Sequence, residues 1–412
     1  MFNIFKIALR NLMRYSRRTI LTVSLIVIGV VFVSVFVSVS GSFKNMMISQ
    51  ITDSMTGHVQ VHRKGYMGAA ETLPQNMNMK FMALDRFDNA LKDVGGVEAV
   101  SERIKFGGMF STFTETSNIR LNGINPEQEY KVVPLLPSRI LEGSKELKPG
   151  SIIIPRLFAN SMKVKLGDTI VVVATNQDGS VNGKQLKVTG IIESATGPGG
   201  RDGYVHIDDA AEILRMDVPE ISEIAIRLKD FSKLHEFETA LTKRLSTELN
   251  KKGMPIFDVH TWEKLSPFYN VARMIDMMTL FVKILLIAVV LISILNVMIM
   301  AVYERIREIG TAAAIGTRPY KIMMLFLTEG LLMGIIGAVI GAVVSIAAVY
   351  ILNMQKLTFN FGQQKDILLT ASVDYRQLAA ICLTVVVVAV IASLQPAVKA
   401  SRTEPVNALR HI

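Results

Sequence analysis

Two histidines four residues apart, and a lysine behind two glycines, are the side chains best spaced for chemistry in this chain. His58 and His62 lie in the run Gly57-His58-Val59-Gln60-Val61-His62, and the two-residue period of a strand puts both on one sheet face. A zinc site needs three or four ligands, and no third is indicated, so the pair reads as ordinary sheet positions. Gly179…Gly183-Lys184 imitates a phosphate-binding loop, but its spacing is one short. Gln185 also stands where a Ser or Thr would bind magnesium. Neither H-E-x-x-H nor G-x-S-x-G occurs. The single cysteine, Cys382, falls in an apolar segment, which leaves no disulfide within the chain. The sequence points away from catalysis, bound nucleotide and metal chemistry on this chain.

Other charges lie where charge is expensive. Tyr303–Gly330, YERIREIGTAAAIGTRPYKIMMLFLTEG, carries Arg305, Arg307, Arg318 and Lys321 against Glu304 and Glu308, and it separates two long apolar segments. A short loop rich in Lys and Arg between two spans faces the cytoplasm. The small-residue run Thr311–Gly316 predicts a compact helical hairpin whose backbone presses on a partner. Glu329 stands about two turns into the next apolar segment, where an unpaired carboxylate is costly, and is expected to find a structural pair or a helix terminus. Gly330, Gly334, Gly337 and Gly341 form two G-x-x-x-G units joined by a three-residue step. Such a face lets another helix, in this chain or a partner, approach closely. Asn296, in an earlier apolar segment, offers an amide for a bond across helices.

Composition supplies the setting. Half of the 412 residues are hydrophobic and 19% are charged, with a mean hydropathy of +0.37; this is too apolar for an ordinary soluble protein. Four stretches meet the length of a spanning helix: 19–40, about 280–303 with Lys283 able to snorkel, 322–352, and 378–394. Residues 1–18 precede them as a basic amphipathic helix suited to the membrane interface, and the long apolar stretch after it reads as an uncleaved anchor. Twelve basic residues against three acids lie in the N-terminal segment, the 304–321 loop and the C-terminal tail, whereas residues 41–274 carry 29 basic and 28 acidic. Positive-inside therefore places both termini in the cytoplasm. The net charge of +10 is a topology signal and not a nucleic-acid footprint.

Residues 41–274 form an extracytoplasmic domain of mixed periodicity. Strands are expected at 58–62, 118–124, 169–174, 186–192 and 223–228, with helices at 84–94 and 231–249. Asn176–Ser180 closes a hairpin, and Ala195–Gly203, ATGPGGRDG, is the strongest break. The fold class is thus a membrane α-helical protein of four spans with a large α+β domain between the first two.

Three stretches then resemble one family. E-R-x-R-E-I-G at 304–310 followed by a small-residue turn and L-x-E-G at 327–330, A-L-R-N-L at 8–12, and the ending from Pro396 through Pro405-Val406-Asn407-Ala408-Leu409-Arg410 together resemble the ABC-transporter permeases of the MacB/LolC–LolE/FtsX type. Gly57–His62 is similar to the first outer strand of the LolC/LolE members. The resemblance implies a 275–412 permease domain whose coupling loop, 304–321, contacts a separate ATPase subunit through Arg305, Arg307, Glu308, Gly310, Ala314 and Gly316. Gly330, Gly334, Gly337, Gly341 and Glu329 then serve helix–helix contact. ATP and magnesium belong to that ATPase, and no cofactor to this chain. Implied partners are the ATPase, a second permease subunit, membrane lipid, and a lipoprotein substrate or periplasmic adaptor. The expected activity is mechanotransmission that extracts or exports a lipoprotein-like or amphipathic substrate. The alternative is an FtsX-like regulator of a cell-wall hydrolase. The Ala174–Leu186 hairpin is short and lacks the proline of the LolC/LolE carrier hook.

Overall fold

The structure, a computed structural model, describes residues 2–193, 202–361 and 364–403. It divides into a membrane unit (1–45, 272–358, 368–412) and an outer unit (46–271, 359–367).

In the membrane unit, α1 (Phe2–Arg14) ends at Tyr15 and α2 (Ser16–Ile51) follows at once. The long helices α9 (Phe268–Glu304), α11 (Pro319–Met354) and α12 (Tyr375–Ser401) complete, among the described residues, four helices long and apolar enough to cross a membrane. A short helix, α10 (Ile306–Ala314), lies between α9 and α11. Every helix outruns the apolar stretch that announces it. The helix of the first span continues past residue 40, α9 begins at Phe268 and not near 280, and α12 runs on to Ser401 with Pro396 buried inside it. Hydropathy measures the apolar stretch alone, whereas a helix continues as long as its backbone hydrogen bonds do. Loop 304–321 is correspondingly mostly helix. The bundle core includes Ile26, Val30, Ile294, Met298, Phe326 and Ala389.

Past Ile51 the helix relaxes into a π turn, Thr52–Thr56, and Gly57 leads into the first strand of the outer unit. Its strands are β1 (Val59–Arg63), β2 (Val97–Ser111), β3 (Thr116–Ile124), β4 (Ile140–Gly143), β5 (Ser151–Pro155), β6 (Thr169–Thr175), β7 (Val181–Ile192), β8 (Asp202–His206), β9 (Glu223–Leu228) and β10 (Phe257–Thr261). They run in the order β10-β1-β9-β2-β3-β8-β5-β7-β4, with β6 joining β2 and β7. Pairing is mostly antiparallel, but β3–β8 and β5–β7 are parallel. Helices α3 (Phe81–Val94), α4 (Pro126–Val132), α5 (Arg156–Ser161), α6 (Ile207–Ile213), α7 (Leu234–Leu245) and α8 (Trp262–Leu265) fill the connections. A further hairpin, β11 (Thr358–Phe361) and β12 (Gln364–Leu368), joins α11 to α12.

The expected strands and helices are present with shifted ends. Strand β2, the longest, goes unannounced because its two-residue alternation is broken by charges and by Gly107-Gly108. The β6–β7 hairpin pairs Thr169–Thr175 with Val181–Lys187, and Gly179 takes φ +83° in its turn. Lys184 is an ordinary strand residue paired with Asp209 at 2.7 Å and with Glu212. Of the ATGPGGRDG break, residues 195–201 lie outside the described residues, and Asp202-Gly203 open β8. The family-like ending beyond Thr403 also lies outside them.

Candidate coupling site

The turn from α9 through α10 into α11 is built around one buried guanidinium. Arg305 breaks the helix between α9 and α10 and is 6% exposed. Its Nη1 donates to Glu329 Oε1 at 2.8 Å. The carboxylate of Glu329, itself 2% exposed, also accepts from Asn11 Nδ2 at 2.7 Å. The Arg305 guanidinium lies 4.3 Å from the centre of the Tyr15 ring, within the range of a cation–π contact. A charge pair held away from water persists when its remaining hydrogen-bonding capacity is met, and here an amide and an aromatic face help to meet it. Around the rim, Arg18 pairs with Glu304 at 2.8 Å, and Arg14 reaches Glu308 at 3.6 Å. Lys399 donates to the Tyr303 hydroxyl at 2.7 Å.

This arrangement assigns three faces to α1. Ala8 and Leu12 join the bundle core, and Asn11 and the following Tyr15 reach the buried pair. Phe5, Leu9 and Met13 form an exposed apolar stripe at four-residue spacing, and Lys6, Arg10 and Arg14 form a third face. The helix is therefore a packed part of the bundle as well as an amphipathic surface.

The six residues expected to couple fall into two sets. Arg305 and Gly310 face inward, while Arg307, Glu308, Ala314 and Gly316 are exposed, together with Ile315 at 82%. Gly316 takes φ +88° with nothing within 4 Å of where a Cβ would sit.

The four glycines of α11 meet two helices. A Cβ on Gly330 would overlap the Ser393 side chain, and one on Gly334 would come 2.7 Å from Ala389 Cβ; both neighbours are on α12. On Gly337 it would stand 2.6 Å from Ile26, and on Gly341 2.8 Å from Val30, both on α2. Residues 330 and 341 are separated by about 16 Å along a helix axis, which is room for two crossings on one face. Asn296 makes no bond across helices among the described residues; it sits on an exposed position of α9. Cys382 is half-buried in α12, its Sγ 3.6 Å from the Ala338 carbonyl oxygen.

In the outer unit the histidines have separate duties. His58 Nδ1 accepts from the Leu228 amide at 3.0 Å, while His62 turns Nε2 to Glu223 at 3.5 Å. His62 belongs to a buried charged sheet face that the sequence reading missed. Registers place His62 opposite Glu223 and Glu223 opposite Arg103. Lys105 lies opposite Asn122, and Asn122 opposite Tyr204. Arg103 meets both Glu129 and Glu223 at 2.7 Å, and Lys105 meets Glu223 at 2.8 Å. Burial alone would raise the Glu223 carboxyl, but Lys105, His62 and Arg103 outweigh it and hold it well below the usual carboxylate range. Burial would lower the Arg103 guanidinium, and Glu129 and Glu223 together hold it above its ordinary value. The trace of it in the sequence is local, Arg103 and Lys105 bracketing the apolar Ile104.

Four apolar helices, a mixed α+β domain inserted after the first of them, and a charged helical turn before the third define a membrane permease subunit. Residues 19–244 match the MacB-like periplasmic core domain, and residues 280–405 match the FtsX-like permease C-terminal domain. The chain belongs to the MacB/FtsX superfamily and is an ABC transporter permease of the LolC/MacB type. The lipoprotein-releasing system transmembrane protein LolC of Neisseria meningitidis is 23% identical over 417 residues, 95% of this chain and 94% of its own. The macrolide export ATP-binding/permease protein MacB of Campylobacter jejuni is 24% identical over 363 residues, 87% of this chain but only 55% of that protein. The periplasmic region of MacB from Actinobacillus actinomycetemcomitans aligns with 53% of this chain at 14% identity and a TM-score of 0.38, covering 95% of the solved chain.

Proposed function

We propose that this chain is a non-catalytic permease subunit that works by mechanotransmission. It pairs with a second permease and with separate ATPase subunits, which hold the ATP and magnesium. Both termini lie in the cytoplasm and the outer unit on the far side of the membrane. The substrate is lipoprotein-like or amphipathic, by analogy with the lipoprotein-releasing name of the Neisseria relative.

One observation carries the reading. Arg305, at the start of α10, is bonded to Glu329 of α11, while Asn11 of α1 bonds Glu329 and Tyr15, between α1 and α2, lies against Arg305. Force applied to the exposed side of α10, at Arg307, Glu308, Ala314 and Gly316, thus reaches the first and third spans through one buried pair. A loop joined only by solvent-exposed contacts would yield instead, since exposed ion pairs contribute about 0–1 kcal/mol.

The test is ATP turnover and substrate release by the reconstituted complex. Glu308→Arg and Gly316→Val should leave expression and membrane insertion intact while substrate release falls well below what the remaining ATP hydrolysis would drive. Unchanged release per ATP in both variants would sink the role given to this turn.

A further inference from the structure

The buried charged face of the outer sheet encloses a cavity that the coupling reading does not use. Its volume is about 170 Å³, the scale of a cavity that admits a molecule the size of benzene. Unlike that case, its walls are polar. Arg103, Lys105 and Arg120 face it together with Glu129, Glu223 and Asp202, three cations against three anions, so the lining is charge-neutral with both signs present. Each cation already has an anion, Arg120 reaching Asp202 at 3.3 Å. A net-charged guest would therefore upset a balanced set, whereas a guest carrying both charges can lie along it.

Two further atoms are unmet. The Tyr66 hydroxyl and His62 Nδ1 belong to residues only 2% and 1% exposed, yet neither atom has a hydrogen-bond partner among the described residues. The neighbouring Ser222 hydroxyl donates instead to Asn78 Oδ1 at 2.9 Å. An unsatisfied buried polar atom is destabilising, and both atoms belong to residues that line the cavity. The cavity also has a cover. Tyr66, Met67 and Ala70 line it from the short 3-10 segment Tyr66–Thr72, and Leu73 lines it from the residue that follows. Positive-φ residues flank that strap at both ends, Gly65 (+87°) and Leu73 (+51°). Leu73 holds a conformation that a branched L-residue rarely adopts.

We propose that this cavity binds a small zwitterionic solute of about amino-acid size, held along the matched charges of the sheet face and enclosed by the Gly65–Leu73 strap. This is independent of how the membrane unit couples to its motor. The experiment is calorimetric titration of the purified full-length protein in detergent with four probes of similar size and different charge: L-alanine, lactate, 1-amino-2-propanol and propane-1,2-diol. Saturable binding of alanine, with the other three weaker by about tenfold or more, is the expected result. Tyr66→Phe should weaken alanine by about tenfold. Should that variant fail to fold, amide hydrogen exchange in the wild-type protein decides, because saturating alanine must slow exchange in residues 65–73. Equal binding of lactate or the amine would overturn the zwitterionic class. No saturable alanine binding together with unchanged exchange would mean that the cavity holds water only.

Discussion

The membrane unit and the outer unit both bury charge, and they do so by different means. In the outer unit Arg103 is one member of a cross-strand lattice in which Glu223 answers to Arg103, Lys105 and His62 together, while Glu129 adds Ser101 at 2.6 Å. In the membrane unit Arg305 and Glu329 stand nearly alone, assisted by one amide and one ring. A lattice shares the loss of any member among several partners and fixes a sheet face. A lone pair gives or holds as a single unit, which suits a joint between helices. Packing follows the same division. The sheet is knit by backbone hydrogen bonds with Ile104, Leu121 and Ile224 beneath, whereas the bundle relies on glycines that bring α11 against α12 and α2.

The contrast can be broken first at Arg103. Arg103→Met leaves Glu129 buried without its cation, while Glu223 keeps Lys105 and His62, and loss of one partner from a buried pair costs about 3–5 kcal/mol. For a domain of this size that lowers the melting temperature by about 10 °C, readable by thermal denaturation of the full chain. Overpacking the bundle should cost less. Gly330→Leu is expected to destabilise by about 1–3 kcal/mol, with partial rescue by Ser393→Gly on the facing helix. No rescue would show that the two positions do not meet.

At the lone pair, Tyr15→Leu removes the ring beside Arg305 and should cost about 0.5–2 kcal/mol, seen as a lower detergent melting point. An unchanged melting point would make the ring incidental. The smallest effect is one of pH. Because the folded-state carboxyl of Glu223 is held down, its contribution is fully present above the usual glutamate value of about 4.3 and is lost as the pH falls below it. The outer unit should therefore lose stability on acidification below about pH 4, and Glu223→Gln should be less stable at neutral pH with a flatter acid limb. An equally steep acid limb in the variant would place the titration elsewhere.

Much of the bundle was legible because a membrane imposes one rule, apolar length, and the sequence obeys it four times. Glu329 announced a partner by standing inside an apolar segment, but nothing in a linear reading selects Arg305 over Arg307 or Arg318, since the choice depends on which side of a short helix faces inward. The split of the glycine stripe was hidden for a related reason. Spacing reveals that one face is smooth but not how many helices lie along it. In the outer unit the strand at Glu223–Leu228 was readable from its β-branched run. The charged face across β1, β9, β2, β3 and β8 was not, because its members lie far apart in sequence and meet only through register.

Gly316 illustrates what a substitution table conceals. Glycine at a helical turn is commonly taken as a source of looseness, yet the space beside it is empty and only the sign of its backbone torsion is demanding. The requirement at this position is one of chirality. A D-alanine introduced there by chemical synthesis would fit as well as glycine and would remove conformations from the unfolded chain. L-alanine, of identical volume and polarity, would be penalised by its mirror geometry alone. The turn that joins α10 to α11 is thus selected for hand and not for softness.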